Sequence, residues 1–305
     1  MDFMDIALEC RGQVMRFGMS GTGERREFGI TKIEGLESSE LEISRTDNAL
    51  VDGATVDGKR IKCRPVHLEA TLRDDRNNAV NRQRIIKFFN PKYTGQLTVD
   101  HSGTRRTIGY ELEGWNFVAK NGNVHNRLSI VADLVCPDPF WKNTDNFGRN
   151  MADISRHIAF PWRVVREKAA VPDPYRCLAL PGQITGYRTL TRKVHLPNDG
   201  DVPAGVQVQF IAERGPCLNP VIELSGSGRF VRVKTAMEQG DVLVVDTRKR
   251  HQVIELNGEN VYQRIDRLSD PFELEVGDNF LEYGADENYT NLDVRIFYTP
   301  LYLGV

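Results

Sequence analysis

Two prolines separated by one residue, Pro137 and Pro139, divide this sequence. An apolar run over residues 128–135 reaches Cys136 and stops there. Each proline removes a backbone donor and fixes φ, so neither a central strand nor a helix can pass through. The residues before them, Cys136 and Asp138, are pushed towards extended backbone. Phe140 and Trp141 follow at once. Two large aromatics beside a stiff exit are expected to be buried, so the segment reads as a strand end pinned into a core. One domain closes before it and another opens after it.

Length agrees with that division, since 305 residues at about 100–200 per domain predict two domains. A formal net charge of -2 gives no bulk basic field to draw the chain onto nucleic acid or an anionic membrane. Asp2, Asp5 and Glu9 near the N-terminus exclude the basic n-region and apolar stretch of a signal peptide. No apolar run approaches the length of a membrane span. The five cysteines, Cys10, Cys63, Cys136, Cys177 and Cys217, are odd in number, widely spaced and without a C-x-x-C. That argues against a disulfide framework and a zinc site, and for folding in a reducing cytoplasm.

In the first half the pattern is mostly that of strands. Residues 19–26 are a glycine-rich, charged loop without the spacing of a phosphate-binding motif. Residues 28–33 are a strand, and Leu41 and Ile43 alternate with polar residues as a half-buried strand does. Asp52-Gly53 and Asp57-Gly58 are turn dipeptides that bracket a loop. Val66, Leu68, Ala70 and Leu72 then share one face, with His67, Glu69 and Thr71 on the other. One helix is expected, over residues 78–89. Asp74, Asp75, Asn77 and Asn78 stand where side-chain oxygens cap its start, and Asn90-Pro91 stops it. Val80, Ile85, Ile86, Phe88 and Phe89 make one broad apolar side, and Arg82, Arg84 and Lys87 occupy the rest. Strands follow at 96–101, 105–118 and 126–135, joined by Ser102-Gly103 and Asn121-Gly122 turns into a meander.

Residues 142–190 read as a connector, polar at first, then with Trp162 and the prolines Pro172 and Pro174. Beyond residue 191 short strands recur at 202–211, 221–224, 230–233, 242–245, 252–256, 260–265, 272–276, 280–283 and 292–298, with turns between. That spacing predicts a β-sandwich without a helix of useful length. The expected fold is mainly β: a domain over 1–141 with a β-sandwich or meander and one packed helix, the connector, and a sandwich domain over 191–305.

The search for chemistry is mostly negative. His67, His101, His125, His157, His195 and His251 are scattered, with no metal-ligand spacing. Glu111 and Glu113 share one face of a strand, where paired carboxylates can act as acid and base. Alternating solvent-facing charge explains them equally well. No catalytic, cofactor or metal residue is assigned, and the chain reads as a binding or building unit rather than an enzyme.

The order of motifs resembles a family. Gly35-Leu36, Asp52-Gly53, the run from Asn81 to Lys92 with Arg82, Phe89 and Pro91, the meander, and then Pro137-Asp138-Pro139-Phe140-Trp141 are similar to the N-terminal domain of distal tail proteins of siphophages. Asn198-Asp199-Gly200, Gly240-Asp241, Asp246-Thr247, Asn257-Gly258 and Gly277-Asp278-Asn279 resemble the family's galectin-like or carbohydrate-binding-module-like C-terminal sandwich. The resemblance implies a structural protein of the virion tail tip, made in the host cytoplasm and acting without cofactor, membrane or specific nucleic-acid binding. It implies a homo-hexameric ring that joins the tail tube protein to the tail-associated hub or lysin protein and lets DNA pass. Receptor-binding proteins are further partners it suggests. The alternative is a carbohydrate-binding module that contributes to recognition of the host surface.

Overall fold

The computed structural model describes residues 3–37, 39–47, 52–74, 76–118, 128–143, 147–150, 152–156, 186–190, 192–249 and 251–305. Trp162, Pro172, Pro174, Cys177, His125, His157 and the Asn121-Gly122 turn lie outside them. The chain divides into two units. One comprises Met1–Asn146, Gly200–Val202 and Thr299–Val305, the other Phe147–Asp199 and Pro203–Tyr298.

The first unit is a sheet closed around one core. Its strands are β1 (Met4–Cys10), β2 (Gln13–Gly18), β3 (Phe28–Glu34), β4 (Leu41–Asp47), β5 (Ala54–Ile61) and β6 (Arg64–Leu72). Helix α1 (Asn78–Phe88), β7 (Gly95–His101), β8 (Thr104–Val118), β9 (Ser129–Cys136) and β10 (Trp141–Asn143) follow. β8 is 15 residues long. Its first half pairs with β7, and its second half pairs with β9 from Glu111 onward, with a bulge between Leu112 and Gly114. The path β8-β7-β1-β2-β3-β6-β9 therefore returns to β8. A closed sheet has no free edge along that path, which removes the hazard of edge-to-edge pairing. At the β2–β3 junction the pairing is parallel through Phe17 and Phe28, whose rings stack at 4.9 Å.

The expected meander is present as β7–β8–β9. β1 and β2 were not expected, although Ile6, Leu8 and Cys10 alternate into the core and Arg11-Gly12, both at positive φ, make the turn. Two positive φ values in succession are what a two-residue hairpin requires. Asp57-Gly58 is not a turn. Gly58 pairs with Ser44 and Val56 with Arg45, so Asp57 is the extra residue of a bulge inside the β4–β5 ribbon. Leu41 and Ile43 are 54% and 41% exposed, because among the described residues no second layer covers that ribbon.

The helix ends one residue short of the expected 89, with Phe89 as its C-cap. Among the described residues no side-chain oxygen caps its start. Asn77 takes the left-handed conformation at φ 63°, and its carbonyl accepts the Val80 and Asn81 amides instead. The apolar side is narrower than expected. Ile85, Phe88 and the following Phe89 are buried, whereas Val80 and Ile86 are 69% and 40% exposed. Four aromatics fix the helix end: Phe89 meets Phe88 edge-on at 5.2 Å and stacks on Trp115 at 5.3 Å, and Trp115 meets Phe117 at 5.1 Å.

The second unit is a sandwich. It contains β11 (Phe147–Asn150), β12 (Ala152–Arg156), β13 (Gly186–Leu190), β14 (Lys193–Asn198), β15 (Ala204–Ala212), β16 (Cys217–Leu224) and β17 (Arg229–Arg232). β18 (Ala236–Met237), β19 (Val242–Asp246), β20 (Val253–Leu256), β21 (Glu259–Asn260), β22 (Glu273–Leu274), β23 (Gly277–Glu287) and β24 (Leu292–Tyr298) complete it. One sheet runs β11-β24-β15-β19-β20-β21, with β22 beside β15. The other runs β14-β23-β16-β17, with β18 beside β16. Val206, Val208, Phe210, Leu243, Val294 and Ile296 from the first share one core with Leu196, Ile222, Leu281 and Tyr283 from the second. Among the described residues of this unit the helices are two three-residue 3₁₀ turns. One of these occupies Tyr262–Arg264, where a strand was expected.

Two differences concern the division of the chain. β11, β12 and β13 fall inside the expected connector, where β12 pairs with β13 and β11 pairs with β24. The last residues leave the sandwich: β25 (Leu301–Tyr302) pairs with β10 in the first unit's sheet, Tyr302 opposite Trp141.

Candidate functional site

The proline exit is held by a buried arginine. Arg64 stands in phase with Val66, Leu68, Ala70 and Leu72 on the inward face of β6 and is 0% exposed. Its Nε donates to the Pro139 carbonyl at 3.0 Å and its Nη1 to the Gly35 carbonyl at 2.8 Å. Its Nη2 donates to the Leu303 carbonyl. The guanidinium also lies 5.7 Å from the centre of the Trp141 ring. Burial pulls its pKa below the ordinary arginine value, yet a guanidinium keeps its proton in proteins. Three carbonyls thus take the place of a carboxylate partner.

Several of the motif residues meet at this point. Trp141 is 0% exposed and donates from Nε1 to the Leu36 carbonyl at 3.1 Å. Gly35 has φ +91°, and a Cβ there would overlap the Pro65 carbonyl oxygen. Only glycine suits both demands. Pro139 is buried, Phe140 half-buried and Pro137 exposed, while Asp138 pairs with Lys142 at 2.8 Å. Burial raises the pKa of the neighbouring Cys136 thiol to about 12, which leaves it unreactive.

The other motif residues lie elsewhere. Gly53 directly precedes β5 at φ +102°. Arg82 sits 4.3 Å over the Phe117 ring, Phe89 is in the aromatic cluster, and Pro91 follows the helix on the surface. Gly240 has φ +97°. Asp241 accepts from the Glu238 amide at 2.8 Å and from Asn257 Nδ2 at 2.8 Å, and Val242 N donates to Asn257 Oδ1 at 2.9 Å. The Asn257 bond and then the Glu238 amide hold the Asp241 carboxyl below its ordinary range. This lock joins two turns of the sandwich.

The titratable clusters hold salt bridges rather than reactive pairs. His67 Nδ1 is 2.6 Å from Asp133 Oδ1, and its Nε2 is 3.4 Å from Glu69 Oε1. Those carboxylates, Asp133 first, raise the His67 pKa. His195 is 2.6 Å from Asp278, and its ring stacks on the exposed Phe280 at 5.0 Å. Among the described residues no group of three or more histidine, cysteine or acidic side chains has the arrangement of a metal site. No helix among them is long and apolar enough to cross a membrane.

The β4–β5 ribbon is the most exposed element of the first unit. Almost every residue of both strands is exposed, Val56 by 49% in addition to Leu41 and Ile43. Cross-strand pairs such as Arg60 with Glu42 at 2.5 Å steady it. A two-stranded hairpin is marginal on its own in water. A ribbon of this length with apolar side chains on its surface is suited to lie against another chain.

Residues 199–302 match the family described as siphovirus-type tail component, C-terminal domain. The match covers most of the sandwich and about a third of the chain. No curated protein sequence matches the chain. Among solved structures, the chain resembles SPP1 Dit, described as a paradigm of the hub adsorption apparatus in phages that infect Gram-positive bacteria. The TM-score is 0.64 and the identity 14%, over 98% of this chain and 99% of that one. The two chains thus share a fold over nearly their whole length. The phage P2 baseplate in its activated conformation with calcium gives a TM-score of 0.49 at 11% identity, covering 98% of each chain. The fold shared with SPP1 Dit is mostly β, with one α-helix among the described residues.

Arg64 is the organising residue that motif reading misses. The signal is its phase: an arginine two positions before Val66 on a strand that alternates inward demands buried acceptors.

Proposed function

We propose that the protein is the distal tail protein of a siphophage: six copies form a ring at the tail tip that takes the tail tube protein on one face and a hub or lysin protein on the other, with receptor-binding proteins as further partners. The observation that carries this reading is the fold shared with SPP1 Dit over 98% of the chain. The family match over residues 199–302 adds to it. The free-standing β4–β5 ribbon supports a multi-subunit role, since it offers a backbone edge and apolar side chains that its own unit leaves uncovered. A net charge of -2 suits a conduit for DNA, because each neutralised phosphate would add to affinity and slow passage. The role is structural, without catalysis. The mass of the purified chain, by native mass spectrometry or light scattering at several concentrations, tests it. A hexamer, seen as a ring by negative-stain microscopy, is the expected result, and a chain that stays monomeric with and without a tail tube protein would overturn it.

A further inference from the structure

The β6–β9–β8 layer of the first unit carries opposite charge on its two sides. Helix α1 lies on the inner side, where Phe89 stacks on Trp115 and Arg82 covers Phe117. From residue 73 to residue 92 the chain has six cations and two carboxylates, against a whole-chain net charge of -2. Val80, Arg84 and Lys87 form one stripe at i, i+4 and i+7 on the exposed side of the helix. Arg84 also pairs with Glu27 of the same chain, so Lys87 is the stripe's cation without an acidic partner among the salt bridges of the described residues, and Ile86 is exposed beside it, next to uncovered Val80.

On the other side of the same strands the charge is acidic. Glu34, His67 and Asp133 stand in one row across β3, β6 and β9, and Lys32, Glu69 and Val131 in the next. Glu111 faces the same way, since it alternates with buried Tyr110 and core-packed Leu112. Glu113 is exposed at the bulge beside them. Lys32 pairs with Glu34 at 2.8 Å and His67 bridges Asp133 and Glu69, which leaves carboxylates in excess. Half-buried Val131 and Val135 lie among these acids.

We propose that these two sides are the two halves of one head-to-tail interface between copies of this chain, with the cationic stripe of α1 seated on the carboxylate face of β3, β6, β9 and β8 in the next copy. The inference rests on the ring reading above and names the surfaces through which the ring closes. Complementary patches on opposite sides of one layer favour a heterologous contact, which propagates and closes. A symmetric pair would set cation against cation, or acid against acid. Val80 and Ile86 against Val131 and Val135 supply an apolar centre, and the charges form its rim.

Charge exchange tests it. One variant carries Lys87→Glu and Lys92→Glu, which leaves the Arg84–Glu27 pair intact, the other Glu34→Lys and Asp133→Lys, in the full chain, with folding checked by circular dichroism. Each alone is expected at monomer mass where the wild type assembles. An equimolar mixture of the two regains the wild-type mass, because acidic helices then meet basic sheets and the reverse around an alternating ring with an even number of copies. The wild-type assembly weakens about tenfold or more between 0.05 and 0.5 M salt as the contact is screened. If both variants keep the wild-type mass, or the folded pair fails to recombine, this interface is overturned while the ring stands. A wild-type chain that never assembles overturns the ring reading and this inference together.

Discussion

A buried arginine without a carboxylate is costly unless its nitrogens find oxygens, and each of the three nitrogens of Arg64 donates to a backbone carbonyl. Arg64→Ala leaves the Gly35, Pro139 and Leu303 carbonyls without their donor and opens a cavity, so it is expected to lower stability by about 3 kcal/mol or more. Urea unfolding followed by tryptophan fluorescence measures this, and a loss under about 1 kcal/mol would show that water satisfies the carbonyls. His67 gives a pH-dependent contribution. Its folded pKa is raised by Asp133 and Glu69, so the stability it adds is fully present below the ordinary histidine value of about 6.5 and is lost as pH rises through the folded value. NMR titration of the full chain should place His67 above its ordinary value, and Asp133→Asn should bring it down. At this scale the sequence shows residue types and phases but not partners. Pro139 and Trp141 announce a pinned exit, whereas the acceptors of Arg64 lie 29, 75 and 239 positions away along the chain.

Elements were legible where local chemistry decides them. The meander β7–β8–β9, helix α1, and the strands β15, β16, β19 and β24 follow from period-two alternation, turn dipeptides and the Asn-Pro stop. Burial was less so, because alternation says which side chains share a face and not whether another layer covers it. Leu41 and Ile43 alternate like core residues on β4, yet they stand exposed, and Asp57-Gly58 reads as a turn although it is a bulge. The helix start fails for a related reason: several carboxylates and amides compete for capping, and a left-handed Asn77 supplies a carbonyl instead. Where a turn has one solution, reading is safe. Asn257-Gly258, at φ 53° and 83°, makes the hairpin it suggests, and the Asn257 side chain also ties Asp241 to Val242. Asn257→Ala is expected to cost about 1–2 kcal/mol, through a left-handed alanine and two lost hydrogen bonds. It should also shift Asp241 part-way towards the ordinary carboxylate range, since the Glu238 amide remains, so the stability that Asp241 now contributes above that range, and loses as pH falls through its lowered folded value, would shrink. Chemical denaturation of mutant and wild type at pH 7 and pH 3 checks both effects.

Across the whole molecule the chain visits the first unit three times. After residue 146 it builds the sandwich, touches the first unit's set again at Gly200–Val202, and ends there with Thr299–Val305. Nothing in the sequence marks this return, since a two-residue strand after Pro300 has no periodicity to read. Its contacts are nonetheless concentrated. Trp141 and Lys142 pair with Tyr302 and Leu301, Arg106 lies 3.7 Å over the Tyr302 ring and donates to the Gly304 carbonyl, and Asp201 accepts the Leu303 amide at 2.9 Å. Leu303 also supplies one of the three acceptors of Arg64. Ending the chain at Tyr298 should therefore loosen the proline exit from outside, lowering the stability of the first unit by about 3 kcal/mol or more. Because the truncation and Arg64→Ala remove the same hydrogen bond, their effects should fall short of additivity by about 0.5–3 kcal/mol. A double-mutant cycle by urea unfolding measures that coupling. Strict additivity would mean that the last residues and Arg64 stabilise the unit independently, and that the clasp is two separate contacts.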